Sequence, residues 1–389
     1  MRKYNVGLLG CGDICDIYFT NCIKSEILNM AACASLHEAK AHKKAREYGL
    51  PKACSIDDLI NDPQIDIILN LTIPEVHAKF NLAALEAGKH VYSEKPLAAT
   101  LEDGQKIVEL AKAKQLRVGC APDTFLGGRL QTCRKAIDEG LIGEPTAAAA
   151  FVVSPGHEWH HPNPDFFYKP GGGPLLDIGP YYLTALVSLL GPVGRCCGFA
   201  KTTLSERTIF YGPRSGETMP VEIPTHISGT MEFSNGAIGT ITTSFDIWDS
   251  QLPRMEIYGT AGTLCIPDLD PLAGPNLFGG PVLMKTKETS RWRGLPRKPE
   301  LQNWDELPVG HKYNENSRGL GLSDMAYAIK EGRPHRANDE MAYHVLEIGY
   351  ALLESAETGQ YSHLSSSCTR PTPLPVDFPV SIPSSTTMK

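Results

Sequence analysis

The sequence predicts two domains in series, a doubly wound α/β domain over residues 1–122 and an α+β domain with a mostly antiparallel sheet over 123–363. Three observations carry this. A chain of 389 residues exceeds what one hydrophobic core usually supports. Apolar runs bounded by glycine alternate with helical periods through the first third, the spacing of parallel strands joined by crossover helices. Beyond residue 122 the strand-like runs are longer and more widely separated, and Asn235-Gly236 between two alternating runs is a strong hairpin signal.

The elements follow in order. YNVGLLG is a strand that feeds a helix from about Asp13. MAACAS, IDIILNLT, HVYSEK and LRVGCA are the next strands, and HEAKAHKKAREYG, PEVHAKFNLAALEAG and LEDGQKIVELAKAKQ are helices between them. A helix over 126–139 opens the second domain. TAAAAFVVS, RCCGFAKTTL, HISGTMEF, AIGTITTSFDI, MEIYGT and GTLCIPD then read as strands, with a tight turn at Thr260-Ala261-Gly262. Two helices follow, near 320–331 and 339–358. Residues 364–389, rich in Ser, Thr and Pro, are expected to drape over the surface or fray.

Composition excludes several partners. The net charge is −7 and no block of lysine and arginine tracks a phosphate backbone, which argues against nucleic acid. No apolar run approaches the roughly eighteen residues of a membrane span, and MRKYNVGLLG lacks the features of a secretory signal, so a cytoplasmic protein is expected. Eleven scattered cysteines without paired C-x-x-C spacing read as reduced, buried small hydrophobes. His157, His160 and His161 lack the helical H-E-x-x-H frame, and no metal is expected.

Gly10-Cys11-Gly12-Asp13-Ile14-Cys15 follows the first strand and opens the first helix, the context of a dinucleotide-binding turn. The first glycine permits the tight turn, and the second lets backbone amides approach a pyrophosphate at the positive end of the helix. Cys15 stands where a third glycine is usual. After the second strand, where NAD enzymes carry a carboxylate for the adenosine ribose, the chain has Ser35. A hydroxyl tolerates a 2′-phosphate, and Lys40, backed by Lys43 and Lys44, offers a countercharge. This favours NADP, with NAD as the alternative; the same lysines also read as the wet face of an amphipathic helix.

In GGGPLLDIGPYYLTALVSLLG, Asp177 and Tyr181 are four residues apart and share a face if the helix has begun by Asp177. They serve either as cleft-wall polar groups or as a helix cap and a core aromatic. Lys95 closes a short strand and precedes Pro96, whose ring keeps the preceding residue out of helical geometry.

Taken together, the glycine turn, Ile73-Pro74-Glu75-Val76-His77, Glu94-Lys95-Pro96, and Gly171-Gly172-Gly173 through Asp177 and Tyr181 resemble the glucose-fructose oxidoreductase, inositol dehydrogenase and rhizopine catabolism family over about residues 4 to 360. The resemblance implies a Rossmann domain followed by a domain whose large open sheet supports substrate binding and oligomerisation, as a homodimer or homotetramer. It implies dinucleotide contacts from Gly10, Gly12, Asp13, Ile14, Ser35, Lys40, Thr72, Pro74, His77, Glu94 and Lys95. Lys95, Asp177 and Tyr181 are the implied catalytic groups. The D-I-G-x-Y form, with Ser35 and Lys40, is similar to the NADP-using glucose-fructose oxidoreductase branch. The chain starts without that branch's exported leader and arm, so a cofactor released at each turnover is expected.

The chemistry is then an exchange of hydride between nicotinamide and a secondary alcohol or ketone, with a base for the hydroxyl proton. A free tyrosine titrates about three units above neutrality, a gap of about 4 kcal/mol. An ammonium about 4 Å away offers about 4 kcal/mol at an effective dielectric near 20. Lys95 is expected to face the reacting oxygen and Tyr181, and Asp177 to orient Lys95 or a substrate hydroxyl. The aromatic and imidazole-rich loop 155–173 supplies Trp159, His160 and Tyr168 as candidate contacts to a sugar or polyol ring, unless its aromatics merely pin the loop. The alternatives are an NAD-dependent inositol-type dehydrogenase and a dinucleotide-sensing regulator without turnover.

Overall fold

Near-continuous apolar runs make the first sheet, because strands covered on both faces have no polar side to present. In this computed structural model, which describes residues 2–267, 277–289 and 303–379, the first 120 residues supply β1 (Tyr4–Leu9), α1 (Cys15–Cys22), β2 (Leu28–Ala34), α2 (Glu38–Tyr48), β3 (Lys52–Cys54), α3 (Ile56–Asn61), β4 (Ile67–Asn70), α4 (Pro74–Glu86), β5 (His90–Ser93), α5 (Leu101–Lys114) and β6 (Val118–Cys120). The six strands are parallel in the order β3-β2-β1-β4-β5-β6. Local chemistry sets the helix ends. The Ser55 and Thr100 hydroxyls accept from the Asp58 and Asp103 amides and start α3 and α5, and Gly49 closes α2 in the left-handed region.

The second unit begins with α6 (Gly128–Asp138) and β7 (Pro145–Val153), followed by α7 (Gly173–Asp177), α8 (Gly179–Leu190), β8 (Val193–Lys201), β9 (Glu206–Thr208), β10 (Thr218–Pro220), β11 (His226–Phe233), β12 (Ile238–Ser244), β13 (Met255–Gly259), β14 (Gly262–Ile266), β15 (Val282–Thr286) and β16 (Asp305–Leu307). The chain ends with α9 (Leu320–Glu331), α10 (Asp339–Thr358) and β17 (Ser362–His363). Nine strands form one sheet, β16-β15-β14-β13-β7-β12-β11-β8-β17, in which only β7 and β12 pair in parallel. The Asn235-Gly236 and Thr260-Ala261-Gly262 turns join β11 to β12 and β13 to β14, as their residue types require. Asp268, the last residue of the expected GTLCIPD strand, lies outside the described residues.

Three consecutive blocks do not describe the tertiary division. Among the described residues, 2–127, 312–346 and 371–379 form one unit, and 128–267, 277–289, 303–311 and 347–370 the other. The first part of the expected loose tail is therefore held down. Proline-rich backbone leaves carbonyls without ladder partners, and arginine and tyrosine donors take them. Arg336 donates to the Thr372 and Pro373 carbonyls at 2.9 and 3.0 Å, Tyr313 to that of Phe378 and Tyr327 to that of Pro379. The rest of that tail, 380–389, lies outside the described residues.

Candidate active site

Strand order reverses its direction of growth between β1 and β4, and in such sheets ligands bind at the carboxyl ends of the strands flanking that point. The loops leaving β1 and β4 cross there. Gly10 has φ +105, its amide donates to the Ala34 carbonyl at 2.9 Å, and a Cβ on it would lie 2.6 Å from the Leu71 carbonyl carbon and oxygen. Only glycine fits this crossing. A Cβ on Gly12 would meet nothing within 4 Å, so the backbone ahead of α1 borders open space. Asp13 is exposed and Ile14 half-buried beside it, while Cys15 is fully buried in the third-glycine position. This cradle at a helix start fits a dinucleotide pyrophosphate.

At the end of β2, Ser35 is half-buried and Lys40 exposed. Lys44 does not back them: its ammonium is paired with Asp16 and lies 3.2 Å from Glu47. After β4, Asn70 organises the loop. Its Oδ1 accepts from the Thr72 amide at 3.1 Å and hydroxyl at 2.7 Å, and its amide donates to Asn81 Oδ1 and the His77 carbonyl. Pro74 starts α4. His77 is fully buried, with Nδ1 2.7 Å from the Pro96 carbonyl and Nε2 2.9 Å from that of Thr72. Burial holds its pKa below the ordinary histidine value. His77 thus clamps the loop after β4 to the Lys95-Pro96 turn, and both ring nitrogens are turned to backbone rather than to a ligand. Glu94 is likewise inward, its carboxylate accepting from the Tyr18 hydroxyl at 2.7 Å and the Lys95 amide at 3.0 Å. Lys95, half-buried, leaves β5 on this fixed backbone.

In the second unit, α7 ends on Asp177 and α8 begins at Gly179. The expected single helical face is interrupted, because Pro180 has no amide to continue the ladder. Tyr181, 8% exposed, stands in the first turn of the new helix with its amide on the Ile178 carbonyl. Asp177 Oδ2 lies 3.2 Å from Nε2 of His157, whose Nδ1 lies 3.2 Å from His160 Nε2. The His157 ring stacks on Phe167 at 3.7 Å and meets the edge of Phe245. Sequence reading placed His157 only in a possible metal cluster; its tie to Asp177 spans twenty residues and has no local signature.

Tyr168 is not a substrate contact in this fold. It is fully buried in a cluster with Ile209, Met219, Val221 and Phe245, its hydroxyl donating to Glu158 and accepting from the His157 amide at 3.2 Å. Burial and the Glu158 carboxylate push its pKa up. Arg207 donates to Glu158 at 2.5 Å, pairs with Asp246 and takes the Pro155 carbonyl, which anchors the loop from beneath. Gly156, at φ +109, leaves room for these groups. Trp159 and His160 are exposed, Trp159 stacked on Phe210 at 4.1 Å with Trp248 at its edge. The loop's aromatics therefore do pin it, and they also leave one aromatic face outward. Among the described residues no cluster of His, Cys, Asp and Glu has an arrangement that holds a metal ion.

Comparison with known proteins fits this division of labour. Residues 4–121 match the oxidoreductase family with an NAD-binding Rossmann fold, and residues 130–265 match the GFO/IDH/MocA C-terminal domain. The chain belongs to the Gfo/Idh/MocA oxidoreductase family. Within the family, it is 34% identical over 366 residues to 1,5-anhydro-D-fructose reductase of Ensifer adhaerens, covering 92% of this chain and 98% of that one. It is 26% identical to D-xylose 1-dehydrogenase (NADP(+)) 2 of Haloferax volcanii, over 91% and 97% of the two chains. The apo structure of levoglucosan dehydrogenase superposes with a TM-score of 0.78 at 22% identity, over 95% and 100% of the two chains, a likeness of fold. As a family member the chain is an oxidoreductase that acts on CH–OH groups. No helix among the described residues is long and apolar enough to cross a membrane.

Proposed function

We propose that this chain is an NADP-preferring oxidoreductase acting on a secondary hydroxyl, or the matching ketone, of a sugar, sugar derivative or polyol. The near full-length match to a sugar reductase, in a chain whose Gly10 and Gly12 shape a dinucleotide cradle, carries the reading. Gly10, Gly12, Asp13 and Ile14 would hold the pyrophosphate, and Ser35 with Lys40 the adenosine 2′-phosphate. Bound there, the dinucleotide supplies or takes up the hydride. Thr72 and Pro74 line the neighbouring loop, while His77 and Glu94 act behind them by fixing the backbone that presents Lys95.

Lys95, Asp177 and Tyr181 are assigned to one substrate. In this assignment Lys95 stabilises negative charge on the reacting oxygen, Tyr181 exchanges the hydroxyl proton, and Asp177 orients a substrate hydroxyl or the Lys95 ammonium. Trp159 offers its face to the axial hydrogens of a ring, with His160 beside it. The abundance of free thiols, eleven with nine buried, supports a reducing cytoplasmic location.

The test is a panel of sugars and polyols followed by nicotinamide absorbance. Lys95→Ala is expected to lower kcat by at least about a hundredfold and to leave dinucleotide affinity within about threefold, since it removes no pyrophosphate contact. Near-normal turnover of that variant, or three groups found apart in a cofactor-bound crystal structure, would refute the assignment.

A further inference from the structure

We propose that Tyr18 is a positioning residue for Lys95: through the Glu94 carboxylate, its hydroxyl fixes the backbone from which the Lys95 ammonium reaches the substrate. The proposal rests on the reading above that Lys95 acts at the reacting oxygen, and every group it uses belongs to the first unit.

The path is two hydrogen bonds long. Tyr18, the fourth residue of α1 and fully buried, donates from its hydroxyl to Glu94 Oε1 at 2.7 Å. The other carboxylate oxygen accepts from the Lys95 amide at 3.0 Å. The main chain on either side is tied separately. The Glu94 amide donates to the Asn70 carbonyl at 2.8 Å, and the Pro96 carbonyl lies 2.7 Å from His77 Nδ1. The Lys95 amide stands between that strand-end bond and the His77 clamp, and the carboxylate holds it there.

The choice of groups favours positioning over simple cohesion. Glu94 is 8% exposed, and a carboxylate withdrawn from water costs stability that an apolar side chain in the same place does not. A carboxylate that accepts one bond can still rotate about it; a second bond on its other oxygen stops the rotation, and Tyr18 supplies that second bond. Tyr18 keeps its proton. Burial, then the charges of Glu94 and Asp123, push its pKa well above the ordinary tyrosine value, so it stays a donor through the neutral range. Asp123 does not compete for it with Oδ2, which accepts from the Gly319 and Gly321 amides at 3.0 and 2.9 Å. The ring is also confined, since a Cβ on Gly319 would lie 3.7 Å from its Cδ1. Because α1 starts beside the Gly10–Gly12 turn, one helix would fix both the pyrophosphate and the lysine backbone, the two ends between which hydride transfer is aligned.

Tyr18→Phe keeps the ring that packs α1 and deletes only the hydroxyl. In the full chain, with the best substrate of the panel, it is expected to lower kcat about tenfold through lost orientation, with KM for substrate and dinucleotide within about threefold. Added to Lys95→Ala it should cost nothing further, because the group it positions is gone. Hydrogen exchange in the substrate-free protein reads the same tie without turnover. The Lys95 amide should exchange at least about tenfold faster in Tyr18→Phe, while the Glu94 amide, bonded to Asn70, keeps its rate. Undiminished kcat, a loss carried by KM, unchanged exchange at Lys95, or a loss that persists in full beside Lys95→Ala overturns the role of Tyr18 and leaves that of Lys95 standing. Near-normal turnover of Lys95→Ala alone instead refutes the assignment of Lys95, and this proposal with it.

Discussion

Ser35 stands at the end of β2 where an NAD enzyme places a carboxylate for the adenosine ribose, and nothing acidic replaces it before the exposed first turn of α2. Ser35→Asp restores the acid and sets a like charge against a 2′-phosphate. It is expected to lower the ratio of kcat/KM for NADP over NAD by at least about tenfold, or about 1.4 kcal/mol, measured with one substrate at fixed salt. An unchanged ratio would remove Ser35 from cofactor choice. At this scale the sequence was informative wherever backbone geometry demands a residue type, as at Gly10, whose place no side chain can take. It was silent where chemistry depends on a partner far along the chain. Asp177 showed no sign of His157, and nothing in a run of aromatics told that Tyr168 turns inward and Trp159 outward. Lys44 looked available from its neighbours in α2, but its partner Asp16 sits in another helix.

Elements join over comparable distances through single side chains. Asp123, fully buried, accepts from the Gly319 and Gly321 amides at 3.0 and 2.9 Å and so caps α9 from 196 residues upstream. His335, between α9 and α10, donates through Nε2 to the Val118 carbonyl of β6, and its Nδ1 has no partner among the described residues. Burial lowers its pKa from 6.5 to about 4. The unfolded chain therefore binds more protons between those values, and this stabilisation, complete above 6.5, is lost as the pH falls from 6.5 to about 4. His335→Gln keeps a donor at the Nε2 position and removes the titration. Between pH 7 and 4 the wild type is expected to lose about 3 kcal/mol more than the variant. Urea midpoints at each pH check this. Asp123 and Asp339, each pushed up to about 6 by burial, act in the opposite sense but are common to both proteins. Parallel curves would sink the assignment. Periodicity located almost every one of these elements, and Pro180 was a visible reason to split α7 from α8. Neither the parallel pairing of β7 with β12 nor the return of 312–346 to the first unit was legible, since an alternating run identifies a strand without naming its neighbour.

At the scale of the molecule, one face of the nine-stranded sheet is partly exposed among the described residues. Along β7 the residues Ala148, Ala150 and Val152 are buried on the side where α8 packs, and Ala147, Ala149, Phe151 and Val153 point the other way, partly exposed. Register carries that second face across the sheet: Thr240 lies beside Ala149, Thr242 beside Phe151, and Thr230 and Ser228 beside Thr240 and Thr242. Small and hydroxylated side chains alternate there with Phe151 and the exposed Phe199, and Ser228 and Thr242 are bonded to each other at 2.5 Å. Glu256 stands beside Ala149 on this face, and Glu232 pairs with Arg195 further along it; between these charges the alanine and threonine side chains allow close approach of another surface of the same kind, and a second copy of this chain is the proposed cover. An isologous contact places the same residues on both partners, so one added charge meets itself across the two-fold axis. Thr240→Arg, on a strand whose opposite face is unaltered, is therefore expected to leave the fold and its thermal transition intact while converting a dimer or tetramer to a smaller species. Light scattering coupled to size exclusion at micromolar protein decides it. A wild-type chain that elutes as a monomer would leave this face to another partner, and an oligomer unchanged by Thr240→Arg would move the interface elsewhere on the molecule.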